Sequence, residues 1–126
     1  MSTGFSHCLQ IFPTSDIKRT SQFYEEIGFR AVNYLDAEEP HVCLYRDSIE
    51  IVLTKTDAEV VPNRIRYGYG YDAYFVGYGQ QEIEQELKDL NVKIVRPLTM
   101  TDYNNHELVF EMWTDAGLPL ATNNNR

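Results

Sequence analysis

Residues 9–28 read LQIFPTSDIKRTSQFYEEIG. The first four, 9–12, are an apolar run suited to a strand, and Pro13 turns the corner into a helical pattern over 16–27. Asp16 suits the N-cap, because its short side-chain oxygen accepts from the first helix N–H groups, which have no partner inside the helix. Ile17, Thr20, Phe23, Tyr24 and Ile27 recur at helical spacing and share one stripe. Gly28 suits the left-handed residue that closes a helix. The stretch is thus a strand, a corner and an amphipathic helix.

Three strand-like runs follow, at 29–35, 41–46 and 49–54, separated by a polar turn at 36–40 and a tight turn at Asp47-Ser48. In the third run Ile49, Ile51 and Leu53 alternate with Glu50, Val52 and Thr54, the period of a strand. Residues 56–66 are charged, contain Pro62 and show no apolar periodicity, so they read as a connector between two halves. The second half opens with Tyr67-Gly68-Tyr69-Gly70-Tyr71 and a strand over 72–76. A helix over 80–90 follows, with Ile83, Leu87 and Leu90 as its buried stripe and Asn91 as its left-handed stop. Strands at 92–97, 106–113 and 118–122 come next, with a loop at 98–105, a turn at 114–117 and a frayed tail at 123–126. The element order strand, helix, three strands therefore occurs twice. This predicts an α+β fold in one domain, residues 1–126, from two βαβββ units at about 7–56 and 67–122. Their mixed sheets pair into a curved surface with helices outside.

A chain of 126 residues, 43% hydrophobic and 13% aromatic, buries a core without disulfides. Nine of its aromatic residues are Tyr and one is Trp. The formal charge of -8 argues against nucleic acid or an anionic membrane as partner, since both need a basic face. It is compatible with a cationic ligand. No basic n-region, signal peptide or long apolar run is visible, so no membrane span is expected. Cys8 and Cys43 lack CxxC spacing and are read as buried free thiols of a reducing, cytoplasmic setting.

The double βαβββ order, together with Phe12-Pro13-Thr14-Ser15-Asp16 and Phe23-Tyr24-Glu25-Glu26-Ile27-Gly28-Phe29, resembles the vicinal oxygen chelate superfamily. That superfamily holds glyoxalase I, extradiol dioxygenases, fosfomycin-resistance enzymes and bleomycin-resistance proteins. Tyr45-Arg46-Asp47-Ser48-Ile49-Glu50, Asn105-His106-Glu107-Leu108 and Thr114-Asp115-Ala116-Gly117 are similar to segments of the bleomycin-resistance branch. The resemblance implies four metal-ligand positions in the catalytic members. Here the first-strand position falls on Leu9, with His7 about 6.6 Å further along the same face at strand rise. The fourth-strand position falls on Glu50, the fifth near Asp72 or Tyr71, and the last near Ala121. Two carboxylates without an imidazole make a weak site for a transition metal, so neither metal nor cofactor is expected. Glu50 is read either as a carboxylate in a wet groove or as paired with a cation such as Arg46. His41 and His106, each at a strand start, are read as surface or hydrogen-bonded imidazoles.

The tyrosines around the fifth strand are read either as ligand contacts or as sheet and interface packing. A phenol offers a flat apolar body with one polar end, and its ring face also holds a cation. The branch resemblance implies a cytoplasmic homodimer whose paired sheets frame grooves that sequester a ligand without transforming it. The expected site is Glu50, Asp72, Tyr74, Tyr103 and Trp113, binding a small, planar, cationic molecule of the bleomycin kind. The alternative is a metal-dependent glyoxalase or dioxygenase-type enzyme with a non-standard site. Its signature would be stoichiometric bound metal, lost on mutating Glu50, with a register shift bringing His7 into the site.

Overall fold

The computed structural model describes residues 3–111 in full and the backbone of 112 and 118–124. Trp113 and the expected turn at 114–117 lie outside the described residues. The element order is β1 (Gln10–Thr14), α1 (Ile17–Glu26), β2 (Arg30–Tyr34), β3 (His41–Arg46), β4 (Ile49–Lys55), α2 (Asn63–Tyr67), β5 (Tyr74–Gly77), α3 (Gln80–Asp89), β6 (Ile94–Met100), β7 (His106–Met112) and β8 (Leu118–Asn124). Two four-stranded sheets form, β1-β4-β3-β2 and β5-β8-β7-β6. Their topologies match strand for strand. The first strand of each unit pairs in parallel with its fourth, and the other neighbours are antiparallel. The repeat is therefore one of pairing pattern as well as element order.

α1 forms where its periodicity places it. The Asp16 carboxylate accepts from the Arg19 N–H at 3.0 Å, and Gly28 takes a φ of 96° just beyond the helix. Ile17, Thr20 and Tyr24 are buried, and the intervening charged residues face water. The Thr14 and Thr20 hydroxyls meet at 2.7 Å, and Thr14 Oγ1 also accepts from the Asp16 N–H at 3.2 Å. Strand end, corner and helix are thereby fastened by buried polar contacts, each of which leaves a costly unpaired group if broken. Strand alternation sends Val42, Leu44, Ile51 and Leu53 into the same core as α1. Leu87 from α3 and Leu108 and Phe110 from β7 join that core, so both units share it.

Arg46 ties the units together. Its Nη1 donates to the Ile27 carbonyl at 2.6 Å and its Nη2 to Glu86 of α3 at 3.2 Å. The expected pairing of Arg46 with Glu50 is thus corrected: the guanidinium turns toward the helices, away from the strand face that carries Glu50. Cys43 is buried as expected, but Cys8 is exposed, because it precedes β1 and packs under nothing.

The second half departs further from its sequence pattern. Residues 63–67 form a short helix inside the supposed connector, with none of its side chains buried. Local periodicity is silent about such a helix. Its first N–H, that of Asn63, is held by Asp72 Oδ1 at 3.1 Å, a contact nine residues away. β5 starts at Tyr74 rather than at residue 72. In α3, Leu87 is buried and Ile83 half-buried, but Leu90 is exposed and Gln80 is buried in its place. β6 runs on through residues 98–100, and β8 runs to Asn124, shortening the expected loop and tail. Among the described residues no helix is long and apolar enough to cross a membrane.

Candidate functional site

In β7, Leu108 and Phe110 point into the core, so Glu107 and Val109 belong to the opposite, open face of the second sheet. A carboxylate on such a face ordinarily sits in water. Glu107 is instead 0% exposed. Its Oε2 accepts from the hydroxyls of both Tyr74 and Tyr103, the latter at 2.5 Å, while its Oε1 accepts from Arg96 Nη2 at 2.8 Å. A carboxylate taken out of water must be both paired and hydrogen-bonded. Here one guanidinium and two phenols do this.

Three elements converge to make the cluster. Tyr74 opens β5 and lies opposite Ala121, which in turn lies opposite Val109, so sheet pairing carries it across to Glu107. Tyr103 sits four residues before Glu107, in the loop closed by the Thr101 N–H to Asn105 carbonyl bond at 2.8 Å. Arg96 lies opposite Val109 where the β6–β7 register shifts on both sides. Pro97 beside it has no N–H for a ladder, and β6 is an edge strand where that loss is tolerated.

Around this centre the network widens. Arg96 Nη2 also reaches the Tyr71 hydroxyl at 3.4 Å, and Asn105 Nδ2 reaches that of Tyr74 at 3.4 Å. The Tyr71 and Tyr74 rings lie 6.3 Å apart, and the Arg64 guanidinium stands 5.5 Å above the Tyr71 ring. Burial, and then the hydrogen bond to Glu107, push the Tyr74 hydroxyl well above the ordinary phenol range. Tyr103 is also raised, first by its bond to Glu107 and then by burial. Both phenols therefore stay protonated at neutral pH and keep donating to Glu107. Tyr74 is 39% and Tyr103 57% exposed, so their polar ends are committed while much of each ring remains open to a ligand.

Of the expected site residues, the structure brings Tyr74 and Tyr103 together on Glu107 and gives Glu50 and Asp72 other partners. Glu50 lies on the first sheet, opposite Tyr45. Its Oε1 is 3.6 Å from His7 Nε2. Asp72 turns to the connector, where burial raises its carboxyl above the usual carboxylate range against the lowering effect of the Asn63 N–H. Trp113 lies outside the described residues. Ala121, at the expected last position, lies opposite Tyr74, while Tyr71 and Asp72, at the expected fifth-strand position, precede β5. His41 stacks on Tyr34 with ring centroids 5.0 Å apart and contacts the Glu39 carbonyl at 2.8 Å.

His7 and Glu50 do approach one another, but Leu9 and Ala121 offer no imidazole or carboxylate, and Asp72 is turned to the Asn63 N–H. Among the described residues no three His, Cys, Asp or Glu side chains converge as a metal cage would require. The donor set present does not fit the four-ligand metal site implied by the resemblance.

The centre of the cluster, Glu107, and its counter-ion, Arg96, are absent from the expected site. One signal existed: residues 106–112 read HELVFEM, with two acids, Glu107 and Glu111, set among apolar residues of a strand. An isolated strand cannot say whether either acid meets water or a partner.

The arrangement of two matched βαβββ sheets is the glyoxalase/bleomycin-resistance-like fold. No protein-family model matches the sequence, and no curated protein matches it. Solved structures do. TioX from Micromonospora sp. ML1 superposes with a TM-score of 0.73 at 12% identity, covering 97% of this chain and 100% of that one. The fosfomycin resistance protein FosX from Listeria monocytogenes superposes with a TM-score of 0.68 at 13% identity, covering 98% and 91%. An integron cassette protein from the mobile metagenome of V. cholerae gives 0.66 at 18% identity, covering 100% of both chains. At such identities the likeness establishes the fold alone.

Proposed function

We propose that this protein binds and sequesters a small, planar, cationic molecule on the open face of its second sheet, as bleomycin-resistance proteins do, without transforming it. The observation that carries this reading is the buried Glu107 carboxylate, which holds the Tyr74 and Tyr103 hydroxyls while leaving much of their rings exposed. A phenol donating to a carboxylate gains electron density in its ring, and its face then attracts a cation more strongly. The net charge of -8 draws cations to the surface. In this reading the chain works as a cytoplasmic homodimer, with a sheet face of one copy meeting a sheet face of the other. Exposed Ile11, Tyr34, Tyr74 and Val76 support such a role, and two free cysteines suit a reducing compartment.

Titration with bleomycin, followed by tyrosine fluorescence, tests the reading. Saturable quenching that is lost in Tyr103→Ala and weakened in Tyr74→Ala is the expected result. No response to bleomycin at any attainable concentration rejects this ligand class. The runner-up, a metal-dependent enzyme, is favoured only by the approach of His7 to Glu50. Elemental analysis after metal supplementation separates the two: one tightly held divalent ion per chain, lost in Glu50→Gln, would replace the sequestration reading.

A further inference from the structure

A cleft of about 440 Å³ lies between the two units, away from the Glu107 cluster. Ile27, Phe29, Phe75, Ile83, Leu87 and Phe110 give it apolar walls. Phe110 comes from the core-facing side of β7, whereas Glu107 is on the opposite side of that strand. The volume falls in the range of ordinary small-molecule pockets, which are mostly apolar with a few placed polar groups.

One such polar group is present. Gln80, in the first turn of α3, lines the cleft and is 3% exposed. Its Nε2 donates to the Gly77 carbonyl at 3.3 Å, which settles which end of the amide faces that way. Its Oε1 is buried and accepts no hydrogen bond among the described residues. A buried acceptor without a donor is disfavoured, so a ligand that supplies the donor gains more than its apolar contacts alone. Arg46, at the mouth, offers no free charge: its guanidinium is engaged by the Ile27 carbonyl, Glu86 and Asp47. An anionic ligand would have to displace these partners. A cationic one would face the guanidinium directly.

We propose that this cleft is a second binding site, for a neutral aromatic molecule carrying one hydroxyl or N–H donor, with Gln80 Oε1 accepting that donor. The apolar walls bind the rings and Gln80 sets their orientation. A site built around a hydrogen bond discriminates strongly against an analogue that lacks it, because the buried acceptor is then left unpaired.

The test compares 2-naphthol with naphthalene, which differ by the hydroxyl alone, by methyl and amide NMR titration of the full chain. The expected result is that 2-naphthol binds at least about tenfold more tightly, shifting the Ile83 and Leu87 methyls but not Val109. In Gln80→Leu the preference falls to about twofold or less, since no acceptor remains. Ile83→Trp, which fills the cleft, abolishes binding of both molecules. If Gln80→Leu does not fold, Gln80→Met takes its place, with retained fold checked by amide dispersion. The proposal is overturned if naphthalene binds the wild-type protein as well as 2-naphthol, if neither molecule shifts the cleft methyls, or if the preference survives loss of the Gln80 amide. A failed bleomycin titration would leave these outcomes unchanged, because the two sites share no residue.

Discussion

Replacing Glu107 by Gln keeps its shape and removes its charge, which isolates the electrostatic role of the cluster. The native carboxylate accepts three hydrogen bonds and is fully buried. In the variant the amide oxygen still accepts the two phenols, but its NH2 group confronts Arg96 Nη2, donor against donor. The lost charge-assisted bond costs roughly 1.5–3 kcal/mol. Weakening the two phenol bonds adds to this, while Arg96, whose side chain is 42% exposed, recovers some hydration. A net loss of about 3 kcal/mol lowers Tm by about 10 °C in a domain of this size. The tyrosine titration is the sharper assay. Tyr103 is raised chiefly by Glu107, so its pKa falls clearly in the variant. Tyr74 is raised chiefly by burial, so it falls less. The sign for stability also follows. A phenol whose folded pKa exceeds its unfolded value contributes stability that is complete below the unfolded value of about 10 and is lost as pH rises through the folded value. Wild-type protein therefore loses stability above about pH 10, and Glu107→Gln loses less over that window. A Tm within about 2 °C of wild type, together with unmoved tyrosine titrations, would refute the account of the cluster.

Thr14→Val keeps the volume but strands the Thr20 hydroxyl and the Asp16 N–H; a loss of about 1–3 kcal/mol in urea unfolding is expected, and no loss would mean the pair is not buried in solution. Arg46→Lys should fail to restore the stability lost in Arg46→Ala, because an ammonium cannot span the Ile27 carbonyl and Glu86 at once; equal midpoints for Lys and Arg would contradict the two-partner geometry. Asp72→Asn keeps an acceptor for the Asn63 N–H and removes a carboxylate whose pKa burial has raised. The native carboxyl makes the fold less stable as pH rises through its elevated pKa, so the Asn variant should match or exceed wild type at neutral pH and lose this advantage in acid. A variant that loses stability relative to wild type as pH rises from acid to neutral would reverse that sign.

The sequence by itself determined what depends on neighbours along the chain. Asp16, Gly28 and the stripe from Ile17 to Ile27 specify α1, because caps and helical periodicity act within a few residues. The alternation over residues 49–54 specifies a strand for the same reason, observed as Ile49–Lys55, and the doubled element order specifies the paired βαβββ sheets. Tertiary structure decided the rest. The first N–H of α2 is held by Asp72, nine residues further on, a contact with no local signature. Tyr74 and Arg96 join Glu107 only because sheet pairing brings β5 and β6 to either side of it, across separations of 33 and 11 residues, and the loop closed between Thr101 and Asn105 turns Tyr103 onto the same carboxylate. Whether an acid in a strand meets water or a partner is set by what the opposite strands deliver. Contacts of that range have no local periodicity and are realised only once the sheets have formed.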